Sequence, residues 1–296
     1  MHNQKVGRQS MFSAITFLAI ALLVHPSIKS PSSAPERMKP EEIIARHLES
    51  IGSAKARAAV KTRIMVGTSQ VVFHTTPVGQ AAGRVVLASE GDKSLLGMSF
   101  PSPVYPREQL GFNGTTFIAA YVVPGVRSSL GSFLMTHSLI FKQGLMGGTL
   151  SSAWPLLDVS ARQAQLEYAG TKKVDNHTLH ELKYLPHGGS DLQIRLFFDQ
   201  EIFQHVRTEY ERVIAAPMGD RAYANPNPKE AETRYKMVEE FADFKNESGL
   251  TLPHTYKIKL TVDAQGGTFL AEWVINLTQF TFNEPIDPNS FTITAN

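Results

Sequence analysis

Hydrophobic and polar positions change rhythm along the chain. Between Lys39 and Ser53 the sequence KPEEIIARHLESIGS puts Ile43, Ile44, Leu48 and Ile51 on one stripe at helical spacing. Pro40 stands at the start, Glu41 and Glu42 occupy the first turn, and Gly52 marks the stop. This predicts one amphipathic helix at the head of the folded region. From Thr62 the period falls to two. TRIMVGTSQVVF, GRVVLAS and KSLLGMSF are β-rich runs separated by turn-forming residues, and LGFNGTTFIAAYVVPG reads as a hairpin turning at Asn113-Gly114.

Residues 127–154, RSSLGSFLMTHSLIFKQGLMGGTLSSAW, interrupt the strands. Ser128 or Ser129 can cap a helix that runs to about Gln143, with Gly144 at its end. Leu130, Phe133, Leu134 and Phe141 lie near one stripe, and Met135 and Leu139 widen it, so this helix must touch two things at once. Strand rhythm returns in AQLEYAGTKKV, TLHELKYL and DLQIRLFFD, then in RYKMVEEFADFKN, LTLPHTYKIKLTV and FLAEWVINLTQFTF. Further hairpin turns are expected at Asp175-Asn176, Gly188-Gly189 and Gly266-Gly267. The pattern predicts a mainly β protein: a single, highly curved antiparallel sheet of ten or eleven strands. An N-terminal helix and a mid-chain helical insertion would lie on its concave side.

The first residues have a different character. Lys5 and Arg8 precede the apolar run MFSAITFLAIALLV and then Pro26, the layout of an export signal. As a helix that run would reach roughly 21 Å, short of the ~30 Å hydrocarbon core. Residues 1–34 are therefore expected to be a signal peptide or an N-terminal anchor with a linker, and 35–296 the folded domain. The expected location is the periplasm or cell envelope. Without Lys5, Arg8 and Lys29 the chain has 26 basic and 27 acidic side chains, a balance that argues against nucleic acid as a partner. There is no cysteine, so burial and sheet hydrogen bonds must hold the fold.

A search for chemistry finds little. His177 and His180 are three apart on a strand and point to opposite faces, and no His-Glu-x-x-His occurs. GGSDL at Gly188 is a turn between two strands and lacks the strand-to-helix context of a nucleophile. GLMGG lacks the Lys-Ser/Thr of a phosphate loop. The expectation is no catalytic residue, no metal and no cofactor.

The order of these pieces resembles a known family. The opening helix EEIIARHLESIGSA, then KTRIMVGT, GLMGGTLSSAW, LEYAGTKKVDNHTLHELKY, RLFFDQEIFQHVRTEY and FADFKNESGLTLPHTYKI, with FTFNEPIDPNSF at the end, look like the LolA-like group and the outer-membrane lipoprotein-sorting proteins. The resemblance implies a half-open antiparallel barrel closed by helices that shelters acyl chains. It implies a carrier or binder of lipid or acylated protein, a monomer served by membrane-associated donor and acceptor proteins. The ligand-lining candidates are Leu130, Phe133, Leu134, Phe141, Leu145, Met146 and Trp154. Three alternatives stay open. The insertion could simply plug the barrel, the fold could serve as a non-catalytic envelope assembly or interaction scaffold, or the chain could be a hydrolase whose residues follow no recognised motif.

Overall fold

The computed structural model describes residues 38–75, 79–215 and 232–295, so the leader at 1–34 lies outside the described residues. Five strands come first: β1 (Thr62–Phe73), β2 (Gly79–Glu90), β3 (Lys93–Ser99), β4 (Arg107–Phe112) and β5 (Phe117–Ala119). Seven follow the insertion: β6 (Gln165–Val174), β7 (His177–Leu185), β8 (Gln193–Asp199), β9 (His205–Ile214), β10 (Thr233–Glu247), β11 (Leu250–Ala264) and β12 (Gly267–Phe282). All belong to one open, curved sheet in the order β5-β4-β3-β2-β1-β12-β11-β10-β9-β8-β7-β6, with every pairing antiparallel. Two meanders thus run outward from a central β1–β12 seam.

The topology has a consequence for the insertion. β5 and β6 are consecutive in sequence yet stand at opposite edges of the sheet. Twelve strands about 4.8 Å apart span on the order of 50 Å, so residues 120–164 must travel back across the sheet as a strap. A segment that crosses an apolar face has to be apolar toward that face all along its path. The strap carries α3 (Ser129–Thr136), α4 (Leu139–Lys142), α5 (Val159–Arg162) and two single 3₁₀ turns, Gly148–Leu150 and Pro155–Leu157. α1 (Pro40–Ile51) packs on the same face through Ile43, His47 and Ile51, and α2 (Ala54–Ala59) follows it. That inner face is built from residues such as Met65, Leu87, Leu96, Leu110, Tyr210, Met237, Ile258 and Trp273.

Three features differ from the sequence reading. The strand count is twelve because HVRTEYERVI pairs as β9; its charged Arg207, Glu209 and Glu211 point outward at every second position. The single helix expected to Gln143 breaks at His137, whose φ of −112° and ψ of 47° are not helical. Thr136, His137 and Ser138 are weak helix formers, and His137 turns to within 3.6 Å of Asp191. The last hairpin turns at Gln265-Gly266, one residue early, since Ala264 pairs with Gly267. Asp175 and Asn176 take positive φ at the expected turn, as do Gly188 and Gly189. At the central seam a bulge brings Gly67 so close to Asn276 that a Cβ would lie 1.9 Å from its carbonyl oxygen.

Candidate functional site

The candidate site is the inner face beneath and beside the strap. All seven expected ligand-lining residues are brought together there, each between 0% and 6% exposed. Phe141 stacks on Phe117 at 4.4 Å between ring centres, and Trp154 stacks on His205 at 4.5 Å. Gly144 ends the short α4 run with φ of +72°, and its Cα faces the Ala153 carbonyl so closely that a Cβ would lie 1.9 Å from the oxygen. Between strap and sheet lies a void of about 30 Å³ bordered by Met65, Leu96, Phe141, Met146, Leu150 and Tyr256. That is room for a water or two, far below the ~300–1,000 Å³ of a ligand pocket. Under the strap, these side chains are packed core.

Buried polar groups pin the strap down. Glu239 of β10, fully buried, accepts hydrogen bonds from the Gly147 N–H at 2.8 Å, the Tyr210 hydroxyl at 2.6 Å and the Tyr256 hydroxyl at 2.5 Å. Burial raises its pKa above the ordinary carboxylate value against the pull of those three donors. Arg63 of β1, 2% exposed, donates through Nη1 to the Thr149 carbonyl, and burial lowers its pKa to about 10. Trp154 Nε1 donates to His47 Nε2 at 3.0 Å, while His47 Nδ1 lies 3.0 Å from the Phe203 carbonyl and so carries the proton. Burial takes the His47 pKa down to about 4 and that of neighbouring His205 well below its usual value. Near the start of α3, Tyr105 donates to Glu108 Oε2 at 2.5 Å and accepts from Trp273 Nε1 at 2.9 Å. Burial raises the Glu108 pKa to about 7.

Sequence reasoning missed Arg63, Glu108, Glu239 and His47, although each has a signal. Arg63 is in phase with Met65, Glu108 with Leu110, and Glu239 with Met237 and Phe241, so each is a polar residue on an inward-facing apolar repeat. His47 sits four residues from both Ile43 and Ile51. His180 is buried and His177 exposed, on opposite faces as expected. The His205–Thr208 pair, 2.9 Å apart, is fully buried and out of reach of a substrate. Among the described residues no group of three or more His, Cys, Asp or Glu side chains could hold a metal ion.

Beside the strap the same face is open among the described residues. Arg212, Tyr235, Val262 and Phe269 are directly paired neighbours on β9, β10, β11 and β12, forming one transverse row. The outer flank of α3 faces it with Ser129, Ser132, Phe133 and Thr136. Between them lies a cleft of about 490 Å³, edged by Arg127, His137 and Ile214. Phe133 is the one expected site residue that borders this open space, its ring 6.2 Å from that of Tyr235.

No family model and no curated protein matches the chain. Solved structures do. A LolA superfamily protein from Nitrosomonas europaea is similar at 9% identity, covering 86% of this chain and 98% of that one with a TM-score of 0.44. A putative outer membrane lipoprotein-sorting protein domain from Vibrio parahaemolyticus is similar at 15% identity over 85% and 96%, TM-score 0.42. A DUF1329 family protein from Desulfovibrio piger is similar at 10% identity over 85% and 96%, TM-score 0.43. The group that the sequence resembles is thus also represented among these structural matches, at low identity.

Both sheet edges are guarded. β5 is three residues long, and the next residue but one, Tyr121, donates its N–H to the Ala295 carbonyl. β6 is kinked at Gly170, φ +101°, and carries Lys172 and Lys173. A bulge and lysines on an edge strand discourage pairing with another chain. Among the described residues no helix is long and apolar enough to cross a membrane.

Proposed function

We propose that this protein is a non-catalytic carrier or binder of a hydrophobic ligand, a lipid or the acyl chains of a protein, exported to the cell envelope and working as a monomer without cofactor. The supporting observation is an apolar inner face on an open sheet, covered by a strap of short helices and single turns that leaves along one flank a cleft floored by Tyr235, Val262 and Phe269. In this reading Phe133 meets the ligand first. Leu130, Leu134, Phe141, Leu145, Met146 and Trp154 meet it as cargo works under the strap.

The scaffold reading calls for an exposed apolar patch or an unpaired sheet edge, and of these the two edges are guarded. Native mass spectrometry of the protein purified from its own envelope tests the choice. A co-purifying mass in the lipid range is expected. Protein that is consistently free of bound mass, together with a stoichiometric protein partner, would favour the scaffold.

A further inference from the structure

We infer that the cleft beside α3 seats a single-chain anionic amphiphile, a long-chain fatty carboxylate, with its head group on Arg127 and its chain along Tyr235, Val262 and Phe269. The inference rests on the carrier reading and adds to it the head-group chemistry and the seat. One wall of the cleft is the transverse row of β10–β12, whose Tyr235, Val262 and Phe269 pack against the core below and are only half covered above. An alkyl chain laid along that row buries apolar surface on both partners.

The charged features sit at the ends. Arg127 precedes α3, and His137 and Arg212 stand near its far end, about 12 Å away by the rise of eight helical residues. Arg212 is already matched, its Nη2 lying 2.9 Å from Asp191 Oδ2. Arg127 has no carboxylate partner among the described residues. Its Nε donates to the Ala119 carbonyl at 2.8 Å and its guanidinium lies 4.5 Å from the centre of the Tyr121 ring, which fixes its plane. A guanidinium held in this way meets a carboxylate with little further ordering. The groove on the other face of the sheet, about 370 Å³, has an arginine too, but Arg207 there is engaged by Glu209 and Glu240. Charge complementarity therefore selects the α3 cleft for an anion.

The test uses the full chain with fluorescent cis-parinaric acid and its methyl ester. The acid should bind saturably, and the ester about 10- to 100-fold more weakly, the range for losing a charge-assisted hydrogen bond. Arg127→Gln should lower affinity for the acid by a similar factor and leave the ester unchanged. Ser132→Trp, at an exposed position on the cleft wall, should abolish binding of both probes without moving the thermal midpoint. Equal binding of acid and ester by the unmodified protein would overturn the anionic seat, and that comparison needs no variant. Saturable binding unaffected by Ser132→Trp would move the chain elsewhere and overturn the cleft, with the carrier reading intact. No saturable binding of either probe would overturn the cleft and the carrier reading together.

Discussion

One sheet face carries two unlike regions. Under α4 and the two 3₁₀ turns, strap and sheet interlock: Phe141, Leu145, Leu150 and Trp154 are nearly unexposed, and Glu239, Arg63 and His47 tie the strap's backbone and indole down. Along the outer flank of α3 the sheet presents an equally apolar row, but the helix answers it with Ser129, Ser132 and Thr136 beside Phe133. The difference lies in the strap, whose residues interdigitate with the sheet in one region and turn hydroxyls toward it in the other. Hydrophobicity of a face therefore does not say whether it is core or site. What covers it does.

The largest expected effect lies in the packed region. Glu239→Ala would leave two buried hydroxyls and the Gly147 N–H without their acceptor, and should destabilise by about 3–5 kcal/mol in urea unfolding. Phe141→Ala should cost about 3–5 kcal/mol there, whereas Phe269→Ala in the open row should cost clearly less because that ring is only partly covered. Equal losses at Phe141 and Phe269 would break the distinction between the two regions.

Glu108 gives a pH signature. Its folded pKa of about 7 exceeds the unfolded 4.5, so the folded state holds the proton more tightly. Its stabilising contribution is full below the unfolded value and is lost as pH rises through the folded one. Subtracting the stability profile of Glu108→Gln from that of the unmodified protein should give a curve falling between about pH 4.5 and 7, by about 3 kcal/mol at most. His47, with a folded pKa of about 4, acts in the opposite direction between pH 6.5 and 4, and the subtraction removes it. A flat difference curve would place Glu108 in a solvated setting. The smallest expected effect is on the open flank: Ser132→Trp should change stability by no more than about 0.5 kcal/mol, as surface substitutions do.

Much of the fold was legible because strand rhythm is local. TRIMVGTSQVVF coincides with β1, and the Asp175-Asn176 turn takes the backbone conformation its residues favour. β9 was hidden because alternating charge obscures an apolar repeat whose inward members include Thr208 and Arg212. Leu130, Phe133, Leu134 and Phe141 could be read as buried from their spacing, but whether they meet protein or ligand depends on the sheet opposite. The cleft had no local trace: Tyr235, Val262 and Phe269 become neighbours through the register of three strands. Arg127 gains its meaning from having no carboxylate partner among the described residues of that fold.

In the proposed carrier, the open row beside α3, rather than the interlocked region under the strap, receives an apolar chain first. Photoaffinity labelling with a diazirine-bearing fatty acid, mapped by peptide mass spectrometry, tests it most directly. Saturable adducts are expected on Tyr235, Val262, Phe269 and Phe133, displaced by unlabelled fatty acid. Saturable labelling confined to residues such as Leu150 and Trp154, or no saturable labelling at all, would contradict it.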